Sequence, residues 1–320
     1  MSRPVQGLTV SSLFSPARKG NLLGDTPMIE HAYADVNGVR LHYATAGSGK
    51  LIVFLHGFPE FWYAWKEQLE KFSGDHHAVA PDMRGYNLSS KPKEVEAYRI
   101  EPLVEDVRAL AAYLGYEKLV LAGHDWGGVV AWTFALKHPE LLEKLLIVNA
   151  PHPAVFEREL RENPEQRAAS QYMLLFRSPG AESALSANNY AALVEGVLKD
   201  RIAGGFISEE DQRAYLEAWS QPGALTGGLN YYRASRIGPP SGESEAGPAE
   251  MLKAFPSLSV EVPTLVVWGE KDRYLLPGCL NGLEQYVTNL TVRRIPLGSH
   301  WVIHEKPDVI NAHFREFLSA

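Results

Sequence analysis

The residue whose setting points most directly to chemistry is Asp125. It follows the apolar run 119–122 and stands between Gly123 and Gly127, after which apolar residues resume. This order predicts a strand, a sharp turn and a helix, and the small flanking residues permit the close backbone approach that such a turn requires. The setting is that of a nucleophile elbow, where serine is the usual residue. A carboxylate is already an anion at neutral pH, so it needs no base before it attacks. We therefore expect Asp125 to displace at an sp³ carbon and form an alkyl ester, which favours strained or activated alkyl electrophiles over esters and amides.

Two further side chains follow the last two predicted strands. The chain order around a nucleophile elbow is nucleophile, acid, histidine. The acid is Asp272, after the strand 264–268, with Glu270 as the alternative, and the histidine is His300, after the strand 291–295. Because a carboxylate nucleophile needs no base, the histidine acts in a second step. It then deprotonates the water that cleaves the ester, while the acid orients its ring and stabilises its charged form.

Two backbone N–H groups are candidates for an oxyanion hole. One belongs to Trp126, directly after the nucleophile at the start of a helix, and the other to Phe58, after the strand 51–55. His304 lies about one helical turn after His300, which raises the alternative of a two-histidine metal site. The sequence shows no third ligand beside them, so we expect no metal and no organic cofactor.

A sheet is needed to position these residues. Alternating patterns over 31–36 and 39–43, joined by Asn37-Gly38, predict an opening hairpin. Buried strands are predicted over residues 51–55, 77–80, 118–121, 145–148, 264–268 and 291–295. Helices are predicted over residues 61–72, 101–114, 129–138, 280–286 and 306–318. This alternation indicates an α/β fold, with a mostly parallel sheet and helices on both of its faces.

The strand patterns stop between residue 151 and about residue 256. Helical patterns occur there over residues 164–176, 188–198 and 209–219, and a Pro/Gly/Ser-rich tether follows over 238–248. We interpret 151–256 as an inserted all-helical cap over the carboxyl edge of the sheet, where sites in open α/β sheets lie. The predicted organisation is a flexible arm over 1–28, a first core part over 29–150, the cap, and a second core part over 257–320.

Composition limits the partners and the compartment. The chain has 320 residues, a net charge of -7, 45% hydrophobic residues and 22% charged residues, which argues against nucleic acid or an anionic membrane as a partner. Its single cysteine, Cys279, excludes an intramolecular disulfide. No run approaches the roughly 18 apolar residues of a membrane span, and no signal-peptide pattern is present. The sequence predicts a cytoplasmic enzyme that acts on a small molecule and leaves the oligomeric state open, a homodimer included.

Five motifs in combination resemble the epoxide hydrolases of the α/β-hydrolase fold. They are HGFPE at 56–60, PDMRGY at 81–86, GHDWGG at 123–128, WGEKD at 268–272 and GSHW at 298–301. The resemblance covers about residues 30–318. It implies that an epoxide and water are converted to a vicinal diol, through an ester on Asp125 that is cleaved with the help of His300. Pro59, Trp62 and Trp301 are our candidates for the substrate pocket, although the aromatic residues after Pro59 suit helix packing equally well.

The family also places two tyrosines in its cap, which hold the epoxide oxygen and protonate it as the ring opens. The resemblance assigns the first to Tyr172 and the second to Tyr232. A phenol stays protonated at neutral pH and is a suitable donor to a developing alkoxide. Tyr231 stands next to the second tyrosine. In a helix these two neighbours point about 100° apart, so only one of them can face Asp125.

The nearest alternative is a dehalogenase, which shares the aspartate nucleophile. A haloalkane dehalogenase needs side-chain N–H donors for the halide. Trp126 offers one, but Phe58 stands where many of those enzymes have a donor such as asparagine. A haloacetate dehalogenase resembles this chain less, because it carries arginines where Trp126 and Val129 stand. No Gly-x-Ser-x-Gly occurs, which argues against a serine esterase. The remaining alternative is a non-catalytic binding protein of the same fold, against which the complete residue set argues.

Overall fold

The opening hairpin forms as its sequence predicts. The computed structural model describes residues 28–239 and 257–320, and its first elements are β1 (Glu30–Val36) and β2 (Val39–Ala46). They pair antiparallel, and the turn residues Asn37 and Gly38 have φ values of 46° and 75°. Positive φ at both positions matches the twist of the two strands, which explains the Asn-Gly pair.

An eight-stranded sheet forms the centre of the protein. After the hairpin its strands are β3 (Lys50–Leu55), β4 (His76–Pro81), β5 (Leu119–His124), β6 (Leu142–Val148), β7 (Thr264–Gly269) and β8 (Leu290–Ile295). The strand order is β1-β2-β4-β3-β5-β6-β7-β8, and all pairs from β4 to β8 are parallel. Since β3 pairs with both β4 and β5, the winding reverses between β3 and β5. A crevice forms at the carboxyl ends of strands at such a reversal, which is where ligands bind in this class of fold.

Helices cover both faces of the sheet, as the sequence predicts. One face packs against α1 (Lys66–Phe72) and the C-terminal helix, and the other against α2 (Ile100–Tyr113) and α3 (Trp126–Lys137). Side chains of one strand alternate between the two cores, so both faces are apolar and the strands read as continuous apolar runs. The mostly parallel α/β architecture is therefore confirmed. The C-terminal region forms α11 (Val302–Glu305) and α12 (Pro307–Ser319).

Two of the predicted helices differ in the structure. The prediction of a helix over 280–286 is wrong, because only short 3-10 turns form at Pro277–Leu280 and Leu283–Gln285. Gly282 between them has a φ of 75°, which an α-helix cannot accommodate. The segment 61–72 begins as a 3-10 turn at Trp62–Trp65 before α1 continues it.

Helices are the regular elements between β6 and β7 in the part of the chain that is described. They are α4 (Pro153–Glu162), α5 (Pro164–Ala169), α6 (Tyr172–Arg177), α7 (Ala181–Leu193), α8 (Lys199–Ala203), α9 (Glu209–Ser220) and α10 (Ala224–Ser235). The predicted helix 164–176 is divided in two at Ser170. The predicted helix 188–198 is interrupted at its start, where Asn188, Asn189 and Tyr190 are left-handed, and it ends in a π-helix over Val194–Leu198. The proposed boundaries of this cap stay predictions, and the residues 1–27 and 240–256 lie outside the described part of the chain.

The helical segment is anchored on the carboxyl edge of the sheet by buried polar contacts. The indole Nε1 of Trp219 on α9 donates to the carbonyl of Pro59 at 2.6 Å, and the hydroxyl of Tyr231 on α10 donates to the carbonyl of Arg84 at 2.8 Å. Arg201 on α8 is fully buried and donates from Nη1 to Glu60 Oε1 at 3.2 Å. These bonds fix the segment to the loops that follow β3 and β4.

Replacing Arg201 with leucine is expected to destabilise the protein by about 3 kcal/mol, because one partner of a buried ion pair is removed and the other stays buried. The guanidinium also covers the ring of Trp301 at 4.4 Å, and this contact is lost as well. Urea unfolding of both proteins measures the difference. The matched control is Arg213→Leu on α9, an exposed arginine 4.0 Å from an exposed glutamate, which we expect to change stability by less than about 0.5 kcal/mol. Equal stabilities for the two variants would contradict the anchoring role.

Candidate active site

Asp125 occupies the turn between β5 and α3. Its φ of 52° and ψ of -122° are unusual for a residue with a side chain, as expected at a strained elbow. The backbone N–H of Phe58, after β3, donates to Asp125 Oδ1 at 2.8 Å. Glycine is required at position 57, because a Cβ there would lie 2.2 Å from the same oxygen. At the point where the winding reverses between β3 and β5, one oxygen of the Asp125 carboxylate is therefore already held by a backbone donor.

His300 and Asp272 face each other in the loops after β8 and β7. His300 Nδ1 donates to Asp272 Oδ2 at 2.7 Å, and both side chains are buried. The other oxygen of Asp272 accepts the backbone N–H groups of Tyr274 and Leu275 at 2.8 and 2.9 Å. The alternative acid, Glu270, pairs instead with Arg294 near the surface. The structure thus brings Asp272, rather than Glu270, to the histidine.

The far side of the imidazole faces the nucleophile. His300 Nε2 lies 3.7 Å from Asp125 Oδ2, which is longer than a hydrogen bond. Burial lowers the pKa of His300, but the carboxylates of Asp272 and Asp125 raise it by more, so its pKa lies above the usual value of 6.5. A histidine with a bound Nδ1 proton and a free Nε2 lone pair is arranged to take a proton from a molecule held between it and the nucleophile.

The Asp272→Asn variant is expected to shift the pH dependence of turnover. In the role that the sequence predicts, His300 must be neutral to accept a proton, so we expect activity to fall as the pH falls through its pKa. Since Asp272 raises that pKa, its replacement moves this acid limb to lower pH, while kcat drops by on the order of 10³-fold because the ring loses its orientation. Rates measured from pH 5 to 9 give both quantities. The control Glu270→Gln should leave both kcat and the acid side of the pH profile unchanged. An acid side that does not move in Asp272→Asn would contradict the pairing of Asp272 with His300.

Asn149 is a part of the site that sequence reasoning missed. It follows β6, is fully buried and has a φ of 39°. Its Nδ2 donates to Asp272 Oδ2 at 2.8 Å, and its Oδ1 accepts the backbone N–H of Gly269 at 2.8 Å. It thereby fixes the carboxylate oxygen that binds His300. The signal available in the sequence was a single polar residue at the end of an apolar strand, directly before the helical segment.

Tyr274 was missed as well, and it connects the two halves of the site. Its ring lies edge-on to His300 at 5.5 Å and edge-on to Tyr172 at 5.4 Å between ring centres. Its hydroxyl donates to the carbonyl of Gly196 in the π-helix at 3.0 Å. Tyr274 therefore packs the histidine against the helical segment. The sequence offered no motif for it beyond its position two residues after Asp272.

The two tyrosines predicted in the helical segment reach the same place as Asp125. Tyr172 begins α6 and Tyr232 lies on α10, and both line a cavity with the nucleophile. The ring of Tyr232 lies edge-on to Trp126 at 5.1 Å. Burial raises the pKa of both phenols well above 10, so both keep their protons at neutral pH. The adjacent Tyr231 points elsewhere, to the carbonyl of Arg84.

The cavity beside Asp125 has an empty volume of about 490 Å³, which includes space open to solvent, and its lining is apolar apart from the carboxylate and the two phenols. The structure places the three predicted pocket residues outside its lining. Trp62 packs against His31 of β1, Pro59 faces a separate space under α9, and Trp301 lies between His300 and Arg201. The walls come instead from the start of α3, the helical segment and the loop after β7, with Val129, Phe156, Met173 and Leu275 among them.

Two candidate groups remain, the backbone N–H of Trp126 and the imidazole of His304. Trp126 is the first residue of α3, so its N–H has no acceptor within the helix and stays available beside Phe58 for an oxyanion. His304 donates to Glu60 Oε1 at 2.6 Å rather than approaching a metal site with His300. Among the described residues, no group of three or more histidine, cysteine or acidic side chains is arranged to hold a metal ion. Within the same ranges, no helix has both the length and the apolar character needed to cross a membrane.

Comparison with known proteins places this chain in a family. The sequence profile of the alpha/beta hydrolase fold matches residues 50–307. The chain is 41% identical over 291 residues to the AB hydrolase superfamily protein YfhM of Bacillus subtilis, covering 89% of this chain and 96% of that protein. It is 35% identical over 329 residues to epoxide hydrolase 4 of Mus musculus, covering 98% and 87%. The chain belongs to the epoxide hydrolase family of the α/β-hydrolase fold.

Solved structures agree with this membership. A mutant of the epoxide hydrolase from Bacillus megaterium matches this epoxide hydrolase with a TM-score of 0.85 at 38% identity, covering 90% of this chain and all of that one. Epoxide hydrolase VrEH1 from Vigna radiata matches with a TM-score of 0.75 at 28% identity, covering 91% and 98%. The fold class and the family that the five motifs predict are therefore confirmed.

Proposed function

We propose that this epoxide hydrolase converts an epoxide and water to a vicinal diol through an alkyl ester on Asp125. The observation that supports this most directly is one cavity lined by the carboxylate of Asp125 and by the phenols of Tyr172 and Tyr232. A nucleophile on one side and two proton donors on the other suit a substrate whose leaving oxygen stays attached to it. A halide needs no proton, so the two phenols favour an epoxide over a haloalkane.

In the first step a carboxylate oxygen attacks a ring carbon. Asp125 Oδ1 is held by the Phe58 N–H, which leaves Oδ2 as the attacking oxygen. The carbon–oxygen bond of the ring breaks as the new ester bond forms. The released oxygen takes a proton from a phenol of Tyr172 or Tyr232, and the charge that develops is shared by both donors. Donors fixed in a largely apolar cavity stabilise this charge more than the neutral ether of the substrate.

In the second step water cleaves the ester. His300 Nε2 removes a proton from the water, whose oxygen attacks Cγ of Asp125, and Asp272 stabilises the resulting imidazolium. The tetrahedral intermediate carries its negative charge on Oδ1, where the N–H groups of Phe58 and Trp126 donate. Collapse breaks the ester carbon–oxygen bond, and the diol oxygen receives the proton from His300. The carboxyl group of Asp125 then loses the second proton of the water, which restores the phenol directly or through solvent. The carboxylate is regenerated.

The expected partners are a small epoxide and water, and we propose a cytoplasmic location. The location rests on the sequence, in which the single Cys279 has no second cysteine to pair with. In the structure this thiol is buried and free. The presence or absence of a homodimer stays open to measurement by size-exclusion chromatography with light scattering.

Replacing His300 with glutamine tests the proposal, because it stops the second step and leaves the first intact. The variant is exposed to styrene oxide and, separately, to 1-bromobutane, and its intact mass is measured. We expect an adduct with the mass of the whole epoxide, mapped to Asp125 by peptide sequencing. The wild type and the partly exposed surface control His138→Gln should show no lasting adduct, because their ester is hydrolysed.

Each other result has a definite meaning. A butyl adduct alone would identify a dehalogenase. An epoxide adduct on another residue would remove Asp125 from its role. Full turnover by His300→Gln would remove the histidine from the hydrolytic step. No adduct and no turnover by the wild type across a panel of terminal and internal epoxides would leave a non-catalytic binding protein.

A further inference from the structure

We infer that the substrate is an uncharged epoxide with an apolar substituent, and that Val129 and Ile237 limit the length of that substituent. This inference rests on the proposed function, since it concerns the cavity that contains Asp125. It depends on two features of the structure: the chemistry of the cavity walls, and a second cavity behind one of these walls.

The walls of the first cavity exclude a charged substituent. Apart from Asp125 and the two phenols, its lining consists of proline, aliphatic, methionine and aromatic side chains. None of its lining residues is a lysine, arginine or glutamate. An anion brought into this space would lose its hydration, find no cationic side chain among the lining residues and be repelled by the carboxylate of Asp125. A cation would have that carboxylate as its one charged partner in the lining, and pairing with it would occupy the nucleophile. A hydrocarbon chain or ring gains free energy in the same place.

A second cavity lies beside the first, with an empty volume of about 340 Å³ that includes space open to solvent. It is formed where the start of α2 meets the end of α10, and its own lining includes Tyr98, Ile100, Leu103 and Ser235. The two hydroxyl groups there are already engaged. Tyr98 donates to the carbonyl of Pro92, and Ser235 donates to the carbonyl of Tyr231, both at 2.8 Å. The second cavity therefore also presents an apolar surface.

Three side chains line both cavities and form the wall between them. They are Trp126, Val129 and Ile237. Trp126 and Val129 lie three residues apart on the first turn of α3, so they share one face of that helix. Ile237 follows the last turn of α10 and is 8% exposed. A substituent that extends from Asp125 in this direction meets the wall before it reaches the second space.

Ile237 is the part of the wall that can be shortened without disturbing the elbow. Trp126 supplies a backbone N–H to the proposed oxyanion hole, and the backbone N–H of Val129 donates to the carbonyl of Asp125. Ile237 has no contact of this kind with the nucleophile. Truncating its side chain to alanine joins the two apolar spaces, so a longer chain can be buried.

The test is the dependence of kcat/KM on chain length for the series from 1,2-epoxybutane to 1,2-epoxydodecane. In the wild type we expect about a fourfold gain for each methylene that the first cavity buries, then a decline once the chain meets the wall. The Ile237→Ala variant should move the maximum to a longer chain. Adding Ile100→Trp, which fills the second cavity from its far side, should return the maximum to the wild-type length.

Two results would contradict the claim that Ile237 limits the length of the substituent. An Ile237→Ala profile with the wild-type maximum would show that Ile237 does not limit the chain. A shifted maximum that survives Ile100→Trp would show that the extra length enters another space. Ile237→Val and Val129→Ala repeat the test in case the first variant folds poorly, which thermal unfolding would reveal. Calorimetric titration with the matching 1,2-alkanediols measures how affinity, rather than turnover, depends on chain length. It therefore still tests the role of Ile237 if the proposed reaction does not occur.

The charge requirement has its own test. Glycidate, which is ionised at neutral pH, is expected to be turned over at least about tenfold more slowly than methyl glycidyl ether, a neutral epoxide of similar size. Equal rates for both would overturn the exclusion of charged substituents. Failure of both compounds together with the alkyl series would contradict the proposed function instead.

Discussion

The Asp125→Asn variant is expected to lose epoxide hydrolysis by on the order of 10⁴-fold or more in kcat/KM. The amide is neutral and cannot displace an alkoxide from carbon. Asparagine has nearly the same shape as aspartate, and its side-chain oxygen can accept the Phe58 N–H as Oδ1 does now at 2.8 Å. The cavity and the elbow should therefore remain, and only the nucleophile is removed. Diol formation from styrene oxide, followed by chromatography, measures the loss.

A comparison of adducts separates loss of the nucleophile from general damage. The single variant His300→Gln should carry the epoxide adduct, and the double variant Asp125→Asn/His300→Gln should carry none. Both should unfold at nearly the same temperature, because neither change removes a side chain from the apolar core. An adduct on the double variant would show that a different side chain attacks. Activity of Asp125→Asn within about tenfold of the wild type would contradict covalent catalysis at this position.

The parts of the site that depend on local pattern could be predicted from the sequence. Asp125, Asp272 and His300 each follow a buried strand, and parallel strands bring their carboxyl ends to one edge. The apolar runs are long enough to identify these strands without knowledge of their neighbours. The structure places all three side chains together for this reason. Tyr172 and Tyr232 came from family resemblance, since a tyrosine in a helix is more often packing than catalysis.

The parts that depend on which face of an element packs inward could not be predicted. Trp62 lies in a short 3-10 turn, and its neighbours Phe61, Tyr63 and Trp65 make every face aromatic. The structure turns its ring toward His31 on the hairpin, 4.8 Å away between ring centres. A four-residue turn is too short for periodicity to show which side faces inward. The sequence therefore offered no basis for assigning Trp62 to the pocket.

Residues that act by positioning another residue could not be predicted from the sequence either. Asn149 stands at the end of β6, and its amide reaches Asp272 across 123 positions of the chain. The contact exists because β6 and β7 are neighbours in the sheet, which is a property of strand order rather than of either strand. Tyr274 likewise acquires its place between His300 and Tyr172 only when the helical segment lies over the sheet.

Removing both proposed proton donors is expected to have the second largest effect. The double variant Tyr172→Phe/Tyr232→Phe should slow ring opening by on the order of 10³-fold, because the leaving alkoxide then forms in an apolar cavity without a donor. Each single variant should lose less, since the remaining phenol still donates. Both rings are kept, and with them the edge-on contacts to Trp126 and Tyr274, so the cavity should hold its shape.

The rate of ring opening can be read directly in the His300→Gln background, where the adduct does not turn over. The time course of adduct formation with styrene oxide, followed by mass spectrometry, gives this rate with and without the tyrosine changes. The rate of ester hydrolysis comes from proteins with an intact His300, as the decay of the adduct after excess substrate is removed. We expect the first rate to fall sharply and the second to change little, since the phenols face the leaving oxygen of the first step only.

Tyr231→Phe is the matched control for this experiment. It changes a neighbouring buried tyrosine on the same helix, but its hydroxyl donates to the carbonyl of Arg84 and not into the cavity. Its loss should lower stability by about 1 kcal/mol and leave the rate of adduct formation unchanged. Equal slowing of adduct formation and adduct decay in the double variant would contradict the donor role. Slowing by Tyr231→Phe as large as that by Tyr232→Phe would mean that α10 presents the other phenol to the epoxide.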